Sequence, residues 1–87
     1  MSRSTAAIFH DVYNGQRNFM TPSVIMYGEE GSLLWELSTG RGMRDQPIFG
    51  VTVLELHGGD VEKRGDLSGC FQSKREALRY IAGLGGE

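Results

Sequence analysis

The chain has 87 residues, 39% of them hydrophobic and 23% charged, with a formal net charge of −2. That length suits one domain (residues 1–87) with a thin core, in which folding buries about 60–65% of the surface of the unfolded chain. Basic and acidic side chains are balanced, four against five in residues 1–47 and five against six in 48–87, so neither half announces nucleic acid or an anionic membrane. Thirteen glycines follow no fixed period, which excludes a collagen-like or other repeat and suggests strands joined by tight turns.

Residues 1–7 are small and polar and are read as a frayed end. Ile8-Phe9-His10-Asp11-Val12-Tyr13 contains strand formers, and Asn14-Gly15 is a type I′ turn pair. Residues 8–20 therefore read either as a hairpin, with Gln16 to Met20 returning beside Phe9 to Tyr13, or as an extended arm. Thr21-Pro22 marks a boundary, and Ser23 to Tyr27 reads as a strand with Val24 and Met26 sharing a face. Gly28 to Gly31 is expected to turn the chain into a second strand, Ser32 to Ser38, where Leu33, Trp35 and Leu37 alternate with Leu34 and Glu36. Trp35 is the largest core candidate, and its indole N–H requires a partner or water. Thr39 to Gln46 reads as a loop.

The longest apolar run, Pro47 to His57, is expected to be the central strand. Phe49, Val51 and Val53 point to one face, and Ile48, Thr52, Leu54 and Leu56 to the other. Gly58-Gly59 then turns the chain into a polar edge strand, Val61 to Arg64, where Lys63 guards against pairing with other chains. Arg64-Gly65-Asp66 spells a tripeptide of extracellular adhesion ligands, but the context reads as a turn. Leu67 and Phe71 anchor a short connection to the core. Ser73-Lys74-Arg75-Glu76 forms a capping box that opens a helix over 74–83. Ala77, Leu78, Ile81 and Leu84 make its apolar stripe.

The predicted fold is α+β: an antiparallel meander of three to five strands with one C-terminal helix packed on one sheet face. The central strand is apolar on both faces, so residues 8–20 are expected to cover the second face, or a homodimer to bury it.

Catalytic chemistry is sparse. His10, His57 and Cys70 show no metal-site spacing, and Cys70 beside Phe71 reads as a small buried hydrophobe. Gly40-Arg41-Gly42 with Arg44 is the most suggestive loop, since amides near glycine and two guanidiniums suit an anion. Lys63 and Arg64 are the other candidate contact residues.

The passage Cys70-Phe71-Gln72-Ser73-Lys74-Arg75-Glu76-Ala77 resembles the strand-to-helix junction of AP2-like DNA-binding domains at the start of tyrosine recombinases. That resemblance implies a three-stranded sheet entering the major groove, with a helix packed behind it. Residues 48–57 hold no lysine or arginine, so it transfers no DNA-contacting residue. The expected function is a small non-enzymatic interaction or accessory module without cofactor or metal, acting on a protein partner as a monomer or homodimer. The alternatives are nucleic-acid binding, or anion binding by the Gly40–Arg44 loop. No secretory leader or membrane span is read, and the lone cysteine forms no internal disulfide, so the expected location is cytoplasmic.

Overall fold

The computed structural model of the protein describes residues 4–13 and 23–84. Its elements are helix α1 (Thr5–Tyr13), strands β1 (Ser23–Glu30), β2 (Leu33–Arg41), β3 (Pro47–His57), β4 (Asp60–Lys63) and β5 (Gly69–Phe71), and helix α2 (Lys74–Leu84). The strands form one antiparallel sheet in the order β1-β2-β3-β4, with β5 also paired to β3. This is the α+β meander with a C-terminal helix that the sequence predicts, with a second helix added.

β3 is the centre because three of the four strand pairings involve it, and β1 alone pairs elsewhere, with β2. β2 pairs along its whole length, from Leu33 opposite Glu55 to Arg41 opposite Pro47. The other edge of β3 is shared, by β4 opposite residues 54–57 and by β5 opposite residues 49–51. Between those stretches the chain leaves the sheet at residues 64–68. The Arg64 amide donates to the Val53 carbonyl at 2.9 Å, and the Ser68 hydroxyl accepts from the Val53 amide at 3.0 Å. The backbone groups of Val53 are therefore satisfied where no strand lies opposite them.

Directly opposed residues share a face, so the registers sort the core into two layers. Trp35, Leu37, Val51 and Val53 meet Ala77 and Ile81 of α2, flanked by Leu67, Phe71 and Tyr80. On the reverse face Leu34 and Leu54 meet Ile8 and Phe9 of α1, flanked by Tyr13, Tyr27 and Leu56. Leu67 and Phe71 thus anchor as expected.

Residues 8–13 are helical, which corrects both the hairpin and the extended-arm readings, and Thr5 to Ala7 form the helix's first turn and are not frayed. Ser4 caps this helix, its hydroxyl accepting from the Ala7 amide at 3.2 Å. Ile8, Phe9, Val12 and Tyr13 then fall on one side of a 3.6-residue period, and burying them on Leu34 and Leu54 outweighs their strand propensity. The Asn14-Gly15 turn and the returning arm Gln16 to Met20 lie outside the described residues. The expected covering of the second face is found for residues 8–13.

The first hairpin is tighter than expected. β1 runs through Glu30, opposite Leu33, and the turn is Gly31-Ser32, with Gly31 at φ 63°. A glycine suits the first position of such a two-residue turn, where φ must be positive. Gly28, expected in the turn, is a strand residue opposite Trp35, and a Cβ there would collide with the indole ring. The register shifts between Val24 and Met26, so these two do not share a face: Val24 opposes Ser38, and Met26 opposes Leu37. β2 continues through Thr39, Gly40 and Arg41, expected in the loop, because each is paired to β3, and Thr39 also donates to the Ile48 carbonyl at 3.1 Å. Trp35 is buried, and its Nε1 has no hydrogen-bond partner among the described residues.

α2 starts at its expected cap, where the Ser73 hydroxyl accepts from the Glu76 amide at 3.1 Å. Its buried stripe differs by one member. Ala77 and Ile81 are buried and Tyr80 and Leu84 pack beside them, whereas Leu78 is 38% exposed. The sheet lies under the 77–81–84 side, and Leu78 is one position past Ala77, about 100° around the helix.

Candidate functional site

The sequence nominates Arg41, Gly42, Arg44, Lys63 and Arg64, and the structure does not bring them together. Arg41 opposes Pro47 and Lys63 opposes Leu54, seven positions apart on β3, or about 23 Å along an extended strand. Lys63 shares the face of Leu54, and its Nζ sits 5.0 Å from the centroid of the Tyr13 ring. Arg64 reaches the opposite face, where it contacts Glu55.

The loop after β2 turns its amides inward. Gly42 N–H donates to the Gln46 carbonyl at 2.8 Å, Asp45 N–H to the Gly42 carbonyl at 3.0 Å, and Arg44 N–H to the Gln46 side-chain oxygen at 2.9 Å. Arg41 donates to the Asp45 carbonyl at 3.1 Å and lies 3.8 Å from its carboxylate. Asp45 holds φ 59° to close the turn. The Gly42, Arg44 and Asp45 amides are therefore satisfied within the loop itself. The two guanidiniums are exposed side chains beside an exposed carboxylate.

Arg64 is committed within the fold. Its Nε and one terminal nitrogen fork onto Asp66 at 2.9 and 2.7 Å, and the other terminal nitrogen reaches Glu55. Hydrogen bonding to Asp66 first, and to Glu55 second, raises the Arg64 pKa further above its already high value. The same fork holds the Asp66 carboxyl below its usual range. Arg64-Gly65-Asp66 is thus a turn closed by its own ion pair.

Cys70 is exposed, which corrects the buried reading. Alternation decides it: Phe71 opposes Phe49 on the α2 side, so Cys70 opposes Gly50 on the other face, where its partner has no side chain to cover it. Cys70 also borders a shallow open cleft of about 460 Å³ formed with Gln72, Glu76 and Arg79, above the tilted Phe71–Tyr80 ring pair at 5.1 Å. His10, expected on an exposed strand face, is an exposed residue of α1.

One constellation escaped the sequence reading. Glu55 and His57 alternate onto the same face of β3, and Glu62 of β4 lies directly opposite Glu55. His57 Nε2 is 2.7 Å from a Glu62 carboxylate oxygen and 3.6 Å from one of Glu55. The signal was present: a two-residue turn at Gly58-Gly59 pairs 57 with 60, 56 with 61 and 55 with 62. Gly58, at φ 61°, makes that turn as expected.

A second exposed feature is an edge. Val24, Ile25 and Met26 are 39, 36 and 40% exposed, and the outer edge of β1 pairs with no strand among the described residues. Ile25, at the register shift, opposes no residue of β2. No helix among the described residues is long and apolar enough to cross a membrane. No family model, no curated protein and no solved structure matches this chain.

Proposed function

We propose that the protein is a small non-enzymatic interaction module that accepts an extended segment of a partner protein along the outer edge of β1. The observation that carries this reading is the exposed run Val24-Ile25-Met26 on a strand with an open edge among the described residues. Strand addition uses such an edge: main-chain hydrogen bonds give affinity, and alternate side chains give selectivity. Glu29 and Glu30 are exposed at the far end of β1 and favour a partner whose apolar run carries lysine or arginine at one end. The irregularity at Ile25 adds local twist, which suits a short segment and disfavours long flat edge-to-edge stacking. Nucleic-acid and anion binding rank lower because Arg41, Arg44, Lys63 and Arg64 do not converge and Arg64 is held by Asp66 and Glu55. Balanced charge and a single cysteine favour the cytoplasm, with the module acting as a monomer or homodimer.

Selection of displayed peptides on the full chain, followed by amide-shift mapping, tests the proposal. The expected ligands are extended apolar peptides with a basic end; they shift residues 23–30 and lose affinity with Ile25→Glu. Ligands that shift another surface, or that bind the Ile25→Glu protein equally well, overturn it. A steeply salt-dependent affinity for generic duplex DNA would favour the nucleic-acid alternative instead.

A further inference from the structure

We propose that Glu55, His57 and Glu62 form a binding site for a divalent first-row transition cation, with zinc as the reference ion, joining β3 to β4. The site is carried by paired strands and not by a loop. Glu55 and Glu62 are directly opposed, His57 is two residues along on the same face, and the Gly58-Gly59 turn closes the hairpin beside them. One ligand atom from each of the three lies within 4.8 Å of the others. Zinc bonds of about 2.0–2.2 Å in tetrahedral geometry place neighbouring ligand atoms about 3.3 Å apart. The 3.6 Å separation of His57 from Glu55 is close to that value, and the 2.7 Å separation from Glu62 has to open by a few tenths of an ångström. His57 and Glu62 are about half exposed or more, so their side chains are free to make that adjustment.

The donor set indicates the class of ion. An imidazole nitrogen favours zinc and its transition-metal neighbours over magnesium or calcium, and the two carboxylates match a double positive charge. Carboxylates directly opposed across an antiparallel pair repel each other, and a shared cation relieves that repulsion. Arg64 already neutralises part of it at Glu55, but its fork onto Asp66 remains when Glu55 turns to a metal. Three protein ligands on an exposed hairpin leave a fourth position for water.

Calorimetry and thermal melting of the full chain with zinc test the site, in a Cys70→Ser background that removes the exposed thiol as a competing ligand. The expected result is one-to-one binding and a melting temperature that rises with zinc but not with equal magnesium. His57→Gln and Glu62→Gln should each weaken binding about tenfold or more, whereas His10→Gln should leave it unchanged. The variants' metal-free melting curves show whether they fold. In the parent chain the His57 ring protons should shift during the same titration, a readout that depends on no substitution at the site. No heat and no melting shift at millimolar zinc would overturn the proposal. So would binding that survives His57→Gln, or binding that is lost with His10→Gln.

Discussion

The two faces of the sheet are covered by helices of similar length that reach their places by different routes. α2 has polar residues on its outer side, a serine cap and a buried stripe built from Ala77 and Ile81, so its local and tertiary preferences agree. α1 is also capped by a serine, but Ile8, Phe9, Val12 and Tyr13 are strand formers. Its helical state rests on what it buries: Phe9 is fully buried against Leu34, Leu54 and the Tyr27 ring. The comparison teaches that a segment of strand formers becomes a helix when a sheet face needs a wide apolar stripe and a cap starts the turn.

The comparison breaks if either helix only decorates the sheet. Phe9→Ala should have the largest effect, costing about 3–5 kcal/mol, and Ile81→Ala about 2–5 kcal/mol, in urea denaturation followed by Trp35 fluorescence. Leu78→Ala, on the exposed side of α2, should cost well under either. A Phe9→Ala protein as stable as the parent would show that α1 is not docked on the sheet as described. Equal losses at Leu78 and Ile81 would restore the apolar stripe expected from the sequence.

The caps sharpen the comparison at the next scale. Ser73→Ala and Ser4→Ala should each cost about 1 kcal/mol, and the two losses should add, because the helices lie on opposite faces. Helix content by circular dichroism distinguishes them. α2, with local preference behind it, should keep its helicity, whereas α1 should lose more for the same change. A smaller loss of helix from Ser4→Ala than from Ser73→Ala would reverse the ranking.

The smallest effect expected is in the turn between β4 and β5. Arg64 depresses the Asp66 carboxyl below its unfolded value of 3.8, so folding favours its ionised form. That contribution is fully present above the unfolded value and is lost as pH falls through the lower folded value. The stability difference between the parent and Asp66→Asn should therefore be small at neutral pH and shrink in acid, in melts from pH 7 down to about pH 2. A difference that grows on acidification would contradict the pairing with Arg64.

Much of the sheet was legible in the sequence because it follows from a two-residue period. Val51 and Val53 against Leu54 and Leu56, the turn at Gly58-Gly59 and the cap at Ser73 all sit where local chemistry requires. Arg41 and Gly40 were legible only as loop residues, since glycine and arginine carry little strand preference and only pairing with Pro47 and Ile48 places them in β2. The exposure of Cys70 depended on which neighbour took the core side of a three-residue strand. The Glu55–His57–Glu62 group required counting across a hairpin, and the placement of Arg64 required the ion pair with Asp66. By itself the sequence determined the central strand, the meander, the C-terminal helix and the turn at Gly58-Gly59, because each depends on residues adjacent in the chain. Only the tertiary structure decided that residues 5–13 are a helix, that Leu78 faces outward and that the basic residues stay apart. Those outcomes depend on which distant surface each segment meets, and that free energy is absent until the sheet exists.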